Sequence, residues 1–238
     1  MNEANEANEA NNVNLAPEYR GFLVAIEGLD GSGTTSQARL AAANLKRLGI
    51  PSHLTREPSD NPIGRLIRNF IVGNYGFDGS PIDPATLALL FAADRLDHLQ
   101  REVEPQIAQG RVVVSDRWYH SSLAYQSPPG GDLSMQWVRE VNVRSRVPDL
   151  TIFLRVDPEI AAKRRVAAGR AQELFDDQET QRRVYAGYVS ALEFVEERGE
   201  RVVYLNGEDP VEVVEVHISR LIGGLVFGKG AYQGAVPA

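Results

Sequence analysis

One stretch near the start of the chain decides its fold: Phe22-Leu-Val-Ala-Ile-Glu-Gly28-Leu-Asp-Gly-Ser-Gly33-Thr-Thr35. The apolar run from Phe22 to Ile26 is continuous, which is typical of a strand buried on both faces of a parallel sheet. An Ala- and Leu-rich segment from about Thr35 to Leu48 predicts a helix, which Gly49 and Pro51 close. The stretch therefore predicts a strand, a glycine-rich loop and a helix in direct succession.

The glycine-rich loop predicts a phosphate-binding site. Glycines let successive backbone N–H groups curl around phosphate oxygens, and the start of the following helix adds partial positive charge. The loop matches the pattern G-x-x-x-x-G-K-[ST] at both glycines and at Thr35, but Thr34 stands where the pattern has lysine. The alternative is an ordinary glycine-rich turn. The expected nucleotide-binding residues are Gly28, Leu29, Asp30, Gly31, Ser32, Gly33, Thr34, Thr35 and Ser36.

The missing lysine is the residue that reaches the β- and γ-phosphates in such loops. The chain has three lysines, Lys46, Lys163 and Lys229, and we expect only Lys163 to lie near a nucleotide. Replacement by arginines is therefore the better expectation. Thr35 is expected to hold Mg²⁺ through its hydroxyl, with Asp30 supplying a carboxylate near the metal.

Strand and helix patterns alternate along the rest of the chain, which predicts an α/β fold with a five-stranded parallel sheet flanked by helices on both faces. The further predicted strands are His53–Arg56, Arg111–Ser115, Leu150–Val156 and Arg201–Leu205. The further predicted helices include Ile63–Val72, Pro84–Gln109, Pro158–Ala168 and Asp176–Glu197.

Composition excludes several classes of protein. The 238 residues contain 32 Asp and Glu against 25 Lys and Arg and no cysteine, so the formal net charge is −7. There is no disulfide framework or thiolate metal site, and the acidic balance argues against nucleic acid as a partner. No apolar run or signal-peptide pattern indicates a membrane or an export route, so we expect a cytoplasmic protein.

The expected domain lies between two tails. Three Asn-Glu-Ala repeats at residues 2–10 predict a disordered tail over residues 1–20. The Gly-rich segment 223–238 predicts a second flexible tail, although Leu225, Val226 and Phe227 could dock. We therefore expect a single domain over residues 21–222.

Charged residues follow two further strands at the edge of the sheet where ligands bind in such folds. Arg56-Glu57-Pro58 ends the second strand, and Asp116-Arg117 ends the third. Each motif alone is weak evidence, because an Asp-Arg pair is more often a surface ion pair. Together with the glycine-rich loop they predict a phosphoryl-transfer site, since that chemistry depends on positioning and charge neutralisation.

Several motifs follow one another in a recognisable order and spacing: Glu27–Gly33, Arg56-Glu57-Pro58, Leu90-Phe-Ala-Ala-Asp-Arg95, Asp116-Arg117 with Ser121, Ala124-Tyr-Gln126 and Pro148-Asp-Leu150. In these motifs the chain resembles the thymidylate kinase family. The resemblance covers residues 21–221, and the chain departs from the family pattern at Thr34 and at Ser59-Asp60-Asn61, where many relatives have Gly-Gly-Thr. It implies the three-layer P-loop nucleoside monophosphate kinase fold.

The resemblance implies how a thymidine monophosphate would be bound. Phe91 would stack on the thymine ring, and Arg95 would reach the base or the acceptor phosphate. Without the family, a core Phe would be the better interpretation of Phe91. Tyr125 would lie where a ribose 2′-hydroxyl would project, while Ser122 would contact the base edge with Ser121 alongside.

Charged residues would hold the phosphates, on the same resemblance. Arg56 and Arg117 would grip the monophosphate, a task suited to the guanidinium fork. Glu57 and Asp116 would order those arginines, or water and Mg²⁺ nearby. Asp116 is accordingly the third expected metal residue, beside Asp30 and Thr35.

A lid over residues 163–175 would close on ATP. The phosphate loop has Gly31 after Asp30, which is similar to the bacterial type of the family, and this type supplies its catalytic arginine from the lid. Arg165 and Arg170 are the candidates for that arginine, with Arg164 as a further one. Glu173 would approach the deoxyribose. A plain surface helix is the alternative for this segment.

The resemblance implies ATP-dependent phosphorylation of dTMP to dTDP with Mg²⁺, by a homodimer. Two alternatives stay open. One is a deoxynucleoside kinase or another pyrimidine monophosphate kinase, and the other is a catalytically weakened nucleotide-binding homologue, suggested by Thr34.

Overall fold

A computed structural model describes residues 20–73, 82–169, 174–175 and 177–228 of the chain. Its centre is a five-stranded, wholly parallel sheet in the order β2-β3-β1-β4-β5. The predicted α/β class with a five-stranded parallel sheet is confirmed. The strands are β1 (Phe22–Gly28), β2 (Ser52–Arg56), β3 (Val112–Asp116), β4 (Leu150–Arg155) and β5 (Val202–Asn206).

Helices cover both faces of the sheet. The first face carries α1 (Thr34–Arg47) and α9 (Val211–Phe227), which contact each other. The remaining helices are α2 (Pro62–Ile71), α3 (Pro84–His98), α4 (Glu104–Ala108), α5 (Tyr119–Gln126), α6 (Met135–Val141), α7 (Pro158–Ala167) and α8 (Gln178–Glu196). None of the helices in the described ranges is long and apolar enough to cross a membrane.

The core alternates with the pleat of β1. Val24 and Ile26 pack in the cluster that includes Ile218 and Ile222 of α9, whereas Leu23 packs on the opposite side with residues of α5 and α8. Apolar side chains on both faces explain why the run from Phe22 reads as continuous, because neither face of a covered parallel strand meets water.

The predicted helical segment Pro84–Gln109 is helical from Pro84 to Ala108, but it is not one regular α-helix. A π-helical turn over Leu99–Val103 separates α3 from α4, and the N–H of Glu104 bonds the carbonyl of Leu99 across it. Pro105 stands at the start of α4 and has no N–H to give to the carbonyl four residues earlier. The wider π spacing is a local adjustment to that loss.

The predicted C-terminal boundary at residue 222 is also wrong. Helix α9 continues to Phe227, with Gly223 and Val226 buried. Ile218, Ile222 and Val226 recur every four residues and form one apolar stripe on the core. This packing outweighs the low helix propensity of Gly223 and Gly224. Residues 1–19 and 229–238, where the tails are predicted, lie outside the described residues.

The register of the sheet brings the predicted site together. Arg56 of β2 pairs with Asp116 of β3, and Asp116 pairs with Ile26 of β1. All strands are parallel, so their carboxyl ends lie at one edge. The loop after β1 and the charged residues at the ends of β2 and β3 therefore meet there.

Candidate active site

The loop after β1 curls tightly against helix α7. Gly31 and Gly33 have φ of +88° and +98°, in the left-handed region that favours glycine. A Cβ added to Gly31 would stand 2.4 Å from the carbonyl oxygen of Ala161. Glycine is therefore required at position 31 both for the backbone conformation and for the close approach of the helix.

A cavity of about 560 Å³ opens over this loop. Seven of the nine expected loop residues line it, from Asp30 to Ser36. The two that do not are Gly28 and Leu29, and the Leu29 side chain is buried in the core. Five arginines line the cavity, which makes it a positive environment: Arg56, Arg68, Arg117, Arg164 and Arg165.

The metal candidates separate into two groups. The Thr35 hydroxyl donates to Oδ2 of Asp116 at 2.5 Å, and Oδ1 of Asp116 is buried with no hydrogen-bond partner in the described part of the chain. Asp30 instead accepts from Arg117 at 2.7 Å and from the hydroxyl of Tyr125 at 2.8 Å. Within the described ranges no three acidic or histidine side chains cluster as a metal site. Mg²⁺ commonly takes only one or two protein ligands beside phosphates and water, so Thr35 and Asp116 fit it.

Arg117 is held in a strained backbone conformation at the end of β3. Its φ is 73°, a left-handed value that costs a side-chain-bearing residue about 1–3 kcal/mol. Its N–H bonds the carbonyl of Ile26 at 2.9 Å, and its guanidinium bonds the carbonyl of Gly28 at 2.7 Å. The strain therefore directs the guanidinium back across the start of the phosphate loop.

The charge of Arg117 is fixed by its surroundings. Burial lowers the pKa of Arg117, but interactions with Tyr125, Tyr188 and Asp30 hold the pKa above the ordinary value. Burial also raises the pKa of the Tyr125 hydroxyl, so this group remains a hydrogen-bond donor to Asp30. The site thus presents a permanent cation next to a carboxylate.

Glu27 is a structural member of the site that the sequence did not single out for a role. Its carboxylate is fully buried and accepts from the Trp118 N–H at 2.7 Å and from the Ser121 hydroxyl at 2.6 Å. The hydroxyl of Tyr188 donates to it at 3.1 Å. Burial raises the pKa of Glu27, but His120 and Arg117 lower it by more than burial raises it. The pKa therefore lies below its ordinary value, and the carboxylate is ionised. The sequence feature that could have pointed to Glu27 is its position directly after a buried apolar run.

A second, smaller cavity of about 120 Å³ adjoins the first. The expected substrate residues Phe91, Arg95, Ser121, Ser122 and Tyr125 all line it. Its lining also includes residues that the sequence analysis did not assign: Pro58, Ile71, Trp118, Gln126 and Phe175.

Arg95 is buried beneath this cavity and bound by protein groups. Its Nε donates to Glu57 at 2.6 Å and its Nη2 donates to Ser122 at 3.1 Å. Its Nη1 donates to Asn142. Only 1% of the residue is exposed. Arg95 therefore braces Glu57 and Ser122 from below, and Asn142 is another site residue that sequence spacing did not identify.

The remaining expected residues differ in their placement. Arg56 is exposed and donates to Asp60 at 2.7 Å. Arg165 lies on α7 and donates to the Asp30 carbonyl at 2.6 Å. Lys163 is exposed on the same helix and does not line the cavity, whereas the adjacent Arg164 and Arg165 do. Arg170 and Glu173 lie outside the described residues.

The predicted lid overlaps regular structure. Residues 163–167 form the last part of α7, so the predicted start of the lid falls inside a helix. Arg164 donates to the carbonyl of Gly207 at 2.8 Å, which ties this part of α7 to the segment after β5. Residues 170–173 and 176 are outside the described residues.

Two adjoining cavities at the carboxyl edge of one parallel sheet suit a transfer between two bound phosphates, one on the loop and one beside Phe91. Asp30, Glu57 and Arg117 line both of them. The fold and the site define a P-loop nucleoside monophosphate kinase. A sequence model of the family described as "Thymidylate kinase" matches residues 26–218. The chain belongs to the thymidylate kinase family.

Similar proteins support this assignment over most of the chain. A protein of Pyrococcus abyssi described as "Probable thymidylate kinase" is 39% identical over 209 residues, covering 88% of this chain and 99% of the relative. A protein of Thermococcus gammatolerans with the same description is 38% identical over 210 residues, covering 87% and 96%. One of Pyrobaculum aerophilum, again so described, is 44% identical over 150 residues, covering 63% and 72%.

Proposed function

We propose that this protein transfers the γ-phosphoryl group of ATP to dTMP and forms dTDP and ADP. The observation that carries the proposal is the shared wall of the two cavities. Asp30, Glu57 and Arg117 line the cavity on the phosphate loop and the cavity beside Phe91. A donor phosphate in the first and an acceptor phosphate in the second would meet at these residues.

The residues of the smaller cavity suit a pyrimidine nucleotide. Phe91 offers a flat aromatic face for the base. Ser122 is held at its hydroxyl by Arg95 and faces the same space. Tyr125, fixed by its bond to Asp30, is the side chain that we assign to the sugar, where it would exclude a 2′-hydroxyl.

The acceptor needs no strong base, because a monophosphate oxygen already carries negative charge. The main task is to stabilise charge that spreads over the transferred group. The bonds of Arg117 to Gly28 and Asp30 support assigning this task to it. Arg56 lies at the rim and would turn from Asp60 towards a bound phosphate.

Mg²⁺ bound with ATP would neutralise phosphate charge, and Thr35 and Asp116 are the residues that fit it. Asp30 remains a candidate only through its proximity, since its two oxygens are engaged by Arg117 and Tyr125. Arg165 and Arg170 are proposed as the cationic residues of the bacterial type of lid. A homodimer remains part of the proposal, although Leu87 and Ala88 of the apolar α3 segment are buried within the subunit.

One observation favours a second candidate, a nucleotide-binding protein with weakened catalysis. Thr34 leaves the loop without its lysine, and loss of one such contact costs about 100- to 1,000-fold in turnover. Against a nucleoside kinase stand Arg56 and Arg117, which give more positive charge than a neutral acceptor needs.

The test combines binding and turnover. Isothermal titration should show tighter binding of dTMP than of thymidine, and ADP release should depend on dTMP. Tighter binding of thymidine would overturn the choice of acceptor. Nucleotide binding without dTMP-dependent ADP release, over a range of Mg²⁺ and donors, would favour the weakened homologue.

A further inference from the structure

We propose that Arg165 supplies, at the donor phosphates, the positive charge that a lysine at position 34 would otherwise provide. This inference rests on the proposed function, because it assigns a task within that reaction. Thr34 occupies the lysine position and its hydroxyl carries no charge. A phosphoryl-transfer site needs that charge, since the transition state spreads negative charge over the phosphate oxygens.

The guanidinium of Arg165 lies on the phosphate loop itself. Its Nη1 donates to the backbone carbonyl of Asp30 at 2.6 Å, and the same nitrogen contacts Oε1 of Gln181 at 3.3 Å. Only 7% of Arg165 is exposed. These two contacts, from the loop and from α8, fix where the positive charge stands before any nucleotide arrives.

Close packing of α7 on the loop explains this position. A Cβ at Gly31 would approach Ala161 within 2.4 Å and the Cγ of Arg165 within 3.0 Å. The helix therefore lies against the loop as closely as a glycine backbone allows. Arg165 and Thr34 line the same cavity of about 560 Å³. The positive charge is therefore carried by an arginine on α7, whereas the usual lysine would stand at the start of α1.

The other arginines of the cavity are committed to different contacts. Of the five that line it, two hydrogen-bond backbone carbonyls of the loop in the described structure: Arg165 at Asp30 and Arg117 at Gly28. Arg117 also pairs with the Asp30 carboxylate and lines the smaller cavity, whereas Arg165 lines the loop cavity and not the smaller one. The remaining three bond elsewhere: Arg56 to Asp60, Arg68 to the carbonyls of Pro58 and Ser59, and Arg164 to Gly207.

Arg165 takes no covalent part in the step. The bond between the γ-phosphorus and the oxygen of ADP breaks while the bond to the acceptor oxygen forms, and the guanidinium keeps all its protons. Its contribution is electrostatic, so a lysine restored at position 34, which lines the same cavity, would provide an equivalent charge. The two positions should therefore be interchangeable.

A double-mutant cycle tests this exchange. The variants are Thr34→Lys, Arg165→Met and the double variant, with Arg182→Met as a matched control on an exposed arginine that pairs with Glu159 of α7. We expect Arg165→Met to lower kcat about 100-fold and Thr34→Lys to change it less than about threefold. The double variant should recover at least about tenfold over Arg165→Met. Arg182→Met should retain the parent rate.

Several results would overturn the inference. They are an unchanged kcat in Arg165→Met, equal effects of Thr34→Lys in both backgrounds, or a gain of about 100-fold from Thr34→Lys alone. The last result decides the matter even if Arg165→Met does not fold, because it needs only the parent and Thr34→Lys. An active parent with any of these results leaves the proposed function intact. Absence of dTMP-dependent turnover in the parent would contradict both the proposed function and the role of Arg165.

Discussion

The hydroxyl of Thr35 donates a hydrogen bond of 2.5 Å to Oδ2 of Asp116, which leaves the buried Oδ1 of Asp116 with no partner in the described structure. Buried carboxylate oxygens are normally satisfied. The pair joins the first turn of α1 to the end of β3 at the edge where the phosphate loop lies. An oxygen ligand available beside a hydroxyl is what a hard divalent cation requires.

The first prediction concerns this pair. Asp116→Asn keeps the shape of the side chain but removes its charge, so kcat should fall about 100-fold or more and the Mg²⁺ concentration for half-maximal rate should rise. Initial rates over a Mg²⁺ titration measure both effects. Asp132→Asn removes the charge of an exposed carboxylate that lines neither cavity and serves as the comparison. Parent rates and parent Mg²⁺ dependence in Asp116→Asn would contradict the assignment.

The second prediction concerns the buried pair between Arg95 and Glu57. Their side chains are 1% and 3% exposed and 2.6 Å apart. Glu57→Gln leaves the guanidinium buried without its counter-charge and should lower the free energy of unfolding by about 3–5 kcal/mol. Urea unfolding gives this value. Glu159→Gln breaks an exposed pair with Arg182 and should cost no more than about 1 kcal/mol. Equal losses in both variants would exclude a structural role for the buried pair.

The third prediction concerns pH. Burial lowers the pKa of His98, but hydrogen bonds and charge from Glu102 and Glu57 raise it to about 9. The imidazole also contacts the Thr55 hydroxyl at 2.7 Å. Because the folded pKa lies above the unfolded value, protonated His98 stabilises the protein fully below pH of about 6.5, and this stability is lost as pH rises through about 9.

Unfolding free energies at several pH values between 6 and 10 test this dependence. The difference between the parent and His98→Asn should shrink as pH rises, by up to about 3 kcal/mol. Taking the difference removes other groups that titrate in the same range, such as His120, whose pKa is also raised. A difference that stays constant, or grows with pH, would show that His98 is neutral in the fold.

The fourth prediction concerns the smaller cavity. Phe91→Ala should raise KM for dTMP about 5- to 100-fold, because stacking of a base on an aromatic ring contributes about 1–3 kcal/mol. KM for ATP should stay near the parent value. Steady-state kinetics with each substrate varied separate the two. Leu40→Ala, a truncation on the exposed side of α1, should change neither KM. An unchanged KM for dTMP in Phe91→Ala would show that Phe91 does not contact the base.

Much of the fold could be predicted because its signals are local. A continuous apolar run, a glycine-rich loop and a helical segment follow each other within residues 22–48, and each has a physical reason to appear there. The predicted strands match the observed strands within one residue at most ends. The predictions missed the course of α9 through Gly223, which tertiary packing decides, and the π-helical turn just before Pro105.

The site could be predicted only in part, for a related reason. The expected residues at the ends of β1, β2 and β3 converge because parallel strands share one edge. Several hydrogen-bond partners of site residues come from distant parts of the chain: Tyr188 bonds Glu27, Asn142 bonds Arg95, and Arg165 bonds Asp30. No periodicity reports such contacts, since each depends on how whole helices pack. The buried anchoring of Arg95 was for this reason not foreseen.

The proposed reaction transfers a phosphoryl group from ATP to dTMP. The most direct measurement incubates the full chain with Mg²⁺, dTMP and ATP labelled at the γ-phosphate, and then separates the nucleotides by chromatography. We expect label to appear in dTDP in step with ADP, with little label transferred to UMP or to thymidine. Label released only as inorganic phosphate, or transferred to thymidine in preference to dTMP, would contradict it.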